Sequence, residues 1–329
     1  MDELWYTRCP VPTATGIAAD RGWLAGEFAA DGITVRSLQD VPAEVAADHH
    51  YTHALDGLIR EGGNVPALWA RSRGEATRLI ALTWIEERQS VLVRADSGLR
   101  APEQLRGLRL AVPVHPIAID FWQAMALHGL AGALSLAGLG LDDARLVRVP
   151  GSAEGQWEGE LAALRDGLVD AVYVKGALAV EAAQRYGAVV GIDLDAAPDR
   201  RARVNNGTPR PITVHQGLLD EQPELVARFL AVLLEAADWA REHPAGLARI
   251  LGAETGAGAV GVAGAYRADT GQNLRLDLSE ERLGLLEQQE RFLRAHGFLP
   301  EPVDVRSWAD HRPLARAREL LAERRAAIS

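Results

Sequence analysis

The chain has 329 residues, of which 48% are hydrophobic and 24% charged, and its formal net charge is −10 at pH 7. This composition is typical of a folded protein with a substantial core, arranged as one large domain or two lobes. The negative charge argues against nucleic acid or an anionic membrane as the main partner, and no apolar run is long enough to span a bilayer.

Short β-type runs alternate with alanine-rich helical stretches, which predicts an α/β fold with parallel strands. The predicted strands, in chain order, are residues 4–7, 33–37, 79–84, 90–94, 108–112, 145–149, 171–174, 189–192 and 212–215. The predicted helices are residues 13–27, 103–105, 117–136, 154–166, 176–186, 223–242 and 280–296.

Cys9 is the only cysteine, and it lies where the first predicted strand gives way to the turn Cys9-Pro10-Val11-Pro12. Prolines cannot continue the hydrogen bonding of a strand, and ligands of open α/β sheets bind where strands end. A lone cysteine is either a small buried hydrophobe or a reactive thiol. The acidic start Met1-Asp2-Glu3-Leu4 has no export signal, so we expect a cytoplasmic protein with a reduced thiol.

The segment 161–173 is typical of a helix, a glycine C-cap at Gly167 and a short strand. Together with residues 22–35 it resembles the type II periplasmic binding proteins, especially those for sulfonates. The resemblance implies a two-lobed α/β fold with the ligand in a cleft and crossing strands at residues 90–94 and 212–215. Lobe I would comprise residues 1–93 and 213–329, including C-terminal helices, and lobe II residues 94–212. Such a fold hosts unrelated chemistries and does not decide function.

Three histidines at positions 49, 50 and 53 precede Arg60 and the pair Gly62-Gly63, which opens a predicted helix. Glycine lets backbone N–H groups approach a ligand, and a helix N-terminus favours negative charge. The planar donors of Arg60 suit a two-oxygen anion such as a carboxylate or sulfinate, so we predict an anion clamp of Arg60 and the Gly63 amide. The histidines lack further ligands at metal-site spacing; the alternatives are surface histidines and an arginine on a helix surface.

The order Cys9-Pro10-Val11-Pro12, His50 and Arg60-Glu61-Gly62-Gly63 resembles the active-site sequence of the aryl sulfinate desulfinases. In that family a histidine stands ten positions before an Arg-x-Gly-Gly motif, as His50 does here. The segments 213–218, 239–243, 255–261 and 292–309 also fit the family. The resemblance implies cleavage of a carbon–sulfinate bond by water with release of sulfite, and no metal or organic cofactor.

The same resemblance implies that Cys9, His50 and Arg60 are catalytic. Arg60 and the Gly63 N–H would bind the sulfinate. Cys9 would either donate a proton to carbon or attack sulfur as a thiolate, and both routes stay open. His50 would hydrogen-bond Cys9 or the sulfinate.

Four further residues are predicted to bind the organic part of the substrate. Tyr51 and His53 stand where the desulfurisation member of the family has aromatic and amide side chains, which suggests a more polar substrate. Trp122 and His115 are candidate cleft residues of the second lobe. Ordinary packing or capping explains these last two equally well.

The competing interpretation is a solute-binding protein that delivers an organosulfur anion to a transporter without chemistry. The missing export signal and the thiol beside the clamp argue against it. A relative of the thiamine-pyrimidine type would need a cysteine-rich site, which one cysteine does not provide. We therefore expect a monomeric enzyme for a small organic sulfinate, without nucleic-acid, membrane, metal or cofactor partners.

Overall fold

The structure is a computed structural model that describes residues 1–9, 11–55, 57–152, 156–267 and 269–328, with the side chains of residues 43–45, 47, 48 and 328 excepted. Pro10, in the predicted turn, and Glu154, the first residue of a predicted helix, lie outside the described residues.

The described residues form ten strands in two five-stranded sheets. The strands are β1 (Glu3–Thr7), β2 (Thr34–Ser37), β3 (Leu58–Glu61), β4 (Thr77–Thr83), β5 (Gln89–Arg94), β6 (Arg109–Val114), β7 (Arg145–Pro150), β8 (Ala171–Lys175), β9 (Ala188–Asp193) and β10 (Arg210–His215). The first sheet has the order β2-β1-β3-β10-β4 and the second the order β7-β6-β8-β5-β9.

Each sheet combines parallel strands with one strand that runs the other way. In the first sheet β1 pairs in parallel with β2 and β3, whereas β10 is antiparallel to β3 and β4. In the second sheet β6 is parallel to β7 and β8, whereas β5 is antiparallel to β8 and β9. Parallel pairs require crossover connections, and helices supply most of them.

The helices of the described residues are α1 (Ala14–Asp20), α2 (Trp23–Phe28), α3 (Ala43–Thr52), α4 (Asn64–Ser72), α5 (Phe121–Ser135), α6 (Glu158–Arg165), α7 (Ala177–Arg185), α8 (Gln216–Glu221), α9 (Pro223–Glu242), α10 (Pro244–Thr255), α11 (Ala259–Ala265), α12 (Glu280–Ala295), α13 (Val305–Trp308) and α14 (Arg312–Ile328). The short helix predicted over residues 103–105 is a single 3₁₀ turn. None of the described helices has the length and apolar character needed to cross a membrane.

The chain divides into two compact units. The first contains Met1–Ile85, Gly207–Glu254 and Ala268–Ser329, and it holds the first sheet. In its core α9 packs against α1 and α14. The second unit contains Glu86–Asn206 and Thr255–Arg267, with a core that joins the second sheet to α5 and α6. The predicted α/β class is confirmed.

One predicted helix is wrong in its continuity. The helix expected over residues 13–27 is interrupted between α1 and α2 by Gly22, which has the left-handed φ of +70°. Thr13 begins α1 as its N-cap, with its hydroxyl accepting from the Gly16 N–H at 2.9 Å. The periodicity of apolar residues continues across the break, so the pattern alone did not reveal it.

Two glycine substitutions test this break. A Cβ at Gly22 would touch nothing, so Gly22→Ala isolates the backbone cost of the left-handed conformation, and we expect it to destabilise the protein by about 1–2 kcal/mol. Gly26, inside α2, also has open space around its Cα, and Gly26→Ala is expected to stabilise by about 0.5–1 kcal/mol. Urea unfolding of both variants measures the difference; effects of equal sign would contradict the assignment of the break.

Candidate functional site

Strand β3 organises the candidate site. It lies between β1 and β10, and its Arg60 is paired with Thr7 of β1 and Thr213 of β10. Cys9 follows the end of β1 by two residues, so its thiol lies at the carboxyl edge of the sheet beside the end of β3. The sequence analysis missed β3, because a four-residue strand that includes Arg60 and Glu61 lacks a clear apolar pattern.

The Arg60 guanidinium is buried, with only 1% of the residue exposed. Nε donates to the His50 carbonyl oxygen at 2.9 Å, Nη1 donates to the Gly63 carbonyl oxygen at 3.2 Å, and Nη2 lies 3.1 Å from Nε2 of His50. No described carboxylate forms an ion pair with Arg60. Burial lowers the pKa of Arg60 to about 10, so the group stays charged at neutral pH. A buried charge without a counter-charge is a receptor for an anion.

His50, in the last turn of α3, holds Arg60 in place through both its backbone and its ring. Burial, and then the charges of Arg60, Arg210 and His53, hold the pKa of His50 well below its ordinary value. The ring is therefore neutral at pH 7. Because a guanidinium can only donate, Nε2 of His50 accepts and the ring proton resides on Nδ1.

The two glycines after Glu61 leave the space that the Arg60 guanidinium occupies. A Cβ on Gly62 would lie 2.6 Å from Cζ of Arg60, closer than any carbon contact allows. The Gly63 N–H, the predicted second half of the anion clamp, has no hydrogen-bond partner in the described part of the chain and precedes α4 as its N-cap. The helix predicted to open at this glycine pair is therefore present.

A buried amide pair fixes the start of α4. The Asn64 side chain donates from Nδ2 to the Pro209 carbonyl oxygen at 2.8 Å and accepts at Oδ1 from Nε2 of Gln289 at 2.9 Å. Both amides are fully buried. This arrangement ties the glycine segment to the chain before β10 and to α12, so the clamp is held from two sides.

The Cys9 thiol is partly buried and lies 3.8 Å from the Glu61 carbonyl oxygen, which also accepts from the Thr7 hydroxyl at 3.1 Å. After burial, the charge of Cys9 is the strongest influence on the pKa of Arg60, which it raises. Sulfur and guanidinium are therefore close enough to act on one bound anion. The described hydrogen bonds pair His50 with Arg60 and not with Cys9.

Glu61 is a site residue that the sequence analysis did not single out. Its buried carboxylate accepts at Oε2 from the backbone N–H of Thr15 at 3.0 Å and from the Thr15 hydroxyl at 2.5 Å. Oε1 accepts from the Thr83 hydroxyl at 3.0 Å. Glu61 thus joins β3 to α1 and β4 on either side of the thiol. Its place next to Arg60, in a strand with no exposed residue, is the only signal that the sequence offered.

Tyr51 and His53 lie on either side of the end of α3. Tyr51 is half-buried, its ring centroid lies 5.6 Å from that of His50, and burial raises its pKa. His53 is buried, its Nε2 lies 3.0 Å from the Thr213 hydroxyl, and its N–H caps α3 on the His49 carbonyl. Burial lowers the pKa of His53 to about 3. The predicted surface histidines are thus mostly within the fold.

His115 and Trp122 belong to the second unit, where they contact each other with ring centroids 6.0 Å apart. The His115 backbone N–H donates to Asp120 at 2.7 Å, and its Nδ1 lies 3.4 Å from the same carboxyl group. Trp122 packs edge-on against Trp157 at 5.4 Å. These residues form an aromatic cluster with Phe121.

Two kinds of sequence comparison agree with this arrangement of residues. A family model described as NMT1/THI5 like matches residues 13–246. The 2'-hydroxybiphenyl-2-sulfinate desulfinase of Rhodococcus erythropolis is 31% identical, over 94% of this chain and 91% of that enzyme, and the enzyme of Rhodococcus qingshengii gives the same values. The chain belongs to this desulfinase family. The predicted family resemblance is confirmed.

Solved structures confirm the fold of this desulfinase-family protein. A cysteine-to-serine mutant of DSZB in complex with biphenyl-2-sulfinic acid is 28% identical, with a TM-score of 0.78 over 97% of this chain and 99% of that one. The periplasmic aliphatic sulphonate binding protein SsuA from Escherichia coli is 16% identical, with a TM-score of 0.73 over 94% and 92%. At that identity the likeness establishes the fold alone. The predicted type II periplasmic-binding-protein-like fold is thereby confirmed.

The buried Glu61 network predicts a stability effect. Glu61→Leu would leave the Thr15 N–H and two hydroxyl groups without their acceptor, and we expect a loss of about 2–4 kcal/mol in the free energy of unfolding. Glu61→Gln should lose less, since its amide oxygen still accepts from Thr15. Glu301→Leu, at an exposed position, is the control. Urea unfolding that shows the same stability for Glu61→Leu and the control would refute the structural role.

Proposed function

We propose that the protein is a desulfinase that cleaves the carbon–sulfinate bond of an organic sulfinate with water and releases sulfite. The observation that carries this proposal is the buried Arg60 charge, which has no described carboxylate partner and acts electrostatically on Cys9. Membership of a family whose named relatives are sulfinate desulfinases supports the same chemistry. The reaction makes the protein a hydrolase acting on a carbon–sulfur bond.

The sulfinate binds between Arg60 and the Gly63 amide. A guanidinium has more N–H donors than the three contacts that hold Arg60 use, so further donors can reach one sulfinate oxygen. The partnerless Gly63 N–H supplies a donor for the other oxygen. Charge-assisted hydrogen bonds of this kind are about twice as strong as neutral ones, and they would fix the orientation of the sulfur.

Cys9 carries out the bond cleavage by one of two routes. In the first, the thiol gives its proton to the carbon that bears sulfur, the hydrocarbon and sulfur dioxide separate, and water converts the latter to bisulfite while a proton returns to sulfur. In the second, the thiolate attacks sulfur and the carbon leaves with a proton from water. Hydrolysis of the resulting sulfur–sulfur bond then yields bisulfite and the thiol. Either route consumes one sulfinate and one water per hydrocarbon and bisulfite.

His50 acts as a positioning residue in this proposal. Its carbonyl and its neutral ring both hold Arg60, so it sets the direction of the guanidinium and leaves the Nδ1 proton for a ligand or a water. Tyr51, whose pKa responds to both Arg60 and Cys9, is proposed to contact the organic group. The roles of His53, His115 and Trp122 in substrate binding stay predictions. We propose that the protein works as a monomer in a reducing compartment, because the reaction needs a free thiol.

Removal of the thiol separates catalysis from binding. Cys9→Ser is expected to abolish sulfite release from benzenesulfinate while calorimetric affinity for it stays within about threefold, because Arg60 and Gly63 are unchanged. Arg60→Met should instead weaken binding about 10- to 100-fold through loss of the charged donors. Arg291→Met, at an exposed position of α12, serves as its control.

Each outcome bears on the proposal. Sulfite release by Cys9→Ser at the wild-type rate would remove Cys9 from the mechanism. Tight sulfinate binding by a wild-type protein that releases no sulfite across a panel of aryl and alkyl sulfinates would favour a solute-binding protein instead.

The space beside Gly62 gives a further prediction. A Cβ there would collide with the end of the flexible Arg60 side chain, so Gly62→Ala should fold but displace the guanidinium. We expect affinity for benzenesulfinate to fall by about tenfold, the equivalent of one charged hydrogen bond. Gly26→Ala is the matched control, and calorimetry supplies the measurement. Unchanged affinity in Gly62→Ala would show that the position of the guanidinium does not matter for binding.

A further inference from the structure

Arg210, the first residue of β10, is a second buried arginine for which no partner is evident. Only 3% of the residue is exposed. Its Nε and Nη1 are buried and have no hydrogen-bond partner among the described residues, and no described carboxylate pairs with it. The contrast with Arg203 of the second unit is informative, because that equally buried arginine lies 2.7 Å from the Glu86 carboxylate. Arg210 therefore carries a charge that the described fold does not neutralise.

The backbone places Arg210 beside the anion clamp. The Gly62 N–H donates to the Pro211 carbonyl oxygen at 3.3 Å, and the Asn64 side chain donates to the Pro209 carbonyl oxygen at 2.8 Å. These two contacts flank Arg210 on one side and the residue between Gly62 and Asn64 on the other. Arg210 thus lies next to the amide that is proposed to bind the sulfinate.

Electrostatics agree with this placement. After burial, the charge of Arg210 contributes to lowering the pKa of both Arg60 and His50, so the two guanidinium groups repel each other inside the same unit. The neighbouring Glu61 does not relieve this repulsion by an ion pair, since its described partners are the neutral donors of Thr15 and Thr83. Two like charges held together without a bound anion are a cost that only a ligand would offset.

We propose that Arg210 is a second anion-binding residue of the Arg60 site, which takes an anionic oxygen of the substrate. This inference rests on the proposed function and deepens it. The oxygen belongs either to the sulfinate itself or to a second acidic group of the same substrate. In the second case the substrate is a sulfinate that also carries a carboxylate or a similar acid.

A substitution that removes the charge but keeps the volume tests the proposal. Arg210→Met is expected to leave the thermal stability of the ligand-free protein unchanged or raised, because it removes an unpaired buried charge. Arg203→Met, the control, should lower thermal stability because it strands the Glu86 carboxylate. A purely structural role for Arg210 would destabilise both variants.

Calorimetry with three probes identifies the source of the oxygen. If Arg210 binds the sulfinate, Arg210→Met should lose about 10- to 100-fold in affinity for both benzenesulfinate and 2-carboxybenzenesulfinate. If it binds a second acid, only the carboxylate-bearing probe should lose affinity. Inorganic sulfite is the third probe, since it is the expected product and has no organic group.

The outcomes separate this inference from the desulfinase proposal. Unchanged affinity of Arg210→Met for all three probes would overturn the inference, even if the wild-type protein releases sulfite. Binding that depends on Arg210 without any sulfite release would support the inference and overturn the proposed catalysis. A wild-type protein that binds none of the probes would overturn both.

Discussion

The structure depends on a positive charge that is buried without a carboxylate to neutralise it. Arg60 is enclosed in the first sheet, held by the His50 carbonyl and ring and by the Gly63 carbonyl, all of them neutral acceptors. Neutral acceptors fix the direction of a guanidinium but leave its charge available, whereas a carboxylate would both fix and cancel it. The chain thereby maintains an anion receptor in the absence of the anion.

The surrounding residues show how the fold sustains this arrangement. Gly62 vacates the space that the guanidinium fills, and the buried amides of Asn64 and Gln289 hold the glycine segment against neighbouring chain. The Glu61 carboxylate ties strand β3 to its neighbours, while its carbonyl oxygen contacts the Cys9 thiol. The same strand therefore positions the charge and, through the next residue, the sulfur. This coupling explains why an arginine and a cysteine far apart in sequence can act on one small anion.

The sequence predicted the alternation of strands and helices well, because nine of the ten described strands are apolar runs bounded by turn residues. It missed β3, the strand that carries Arg60, since four residues with two charges give no periodic signal. Spacing placed His50 and Arg60 in one motif, yet it could not show that the histidine holds the arginine. Nor could it find Glu61 or Arg210, because their significance lies in which partners they have, and partners depend on the pairing of strands distant in sequence. The left-handed Gly22 was hidden by apolar residues that continue on both sides of it.

A crystal structure of the Cys9→Ser variant with bound benzenesulfinate tests the central claim most directly. The account predicts sulfinate oxygens within hydrogen-bond distance, about 2.7–3.1 Å, of the Arg60 guanidinium and the Gly63 amide nitrogen, with position 9 facing the sulfur–carbon bond. A sulfinate bound elsewhere, or a guanidinium that pairs with a carboxylate of the chain, would contradict it.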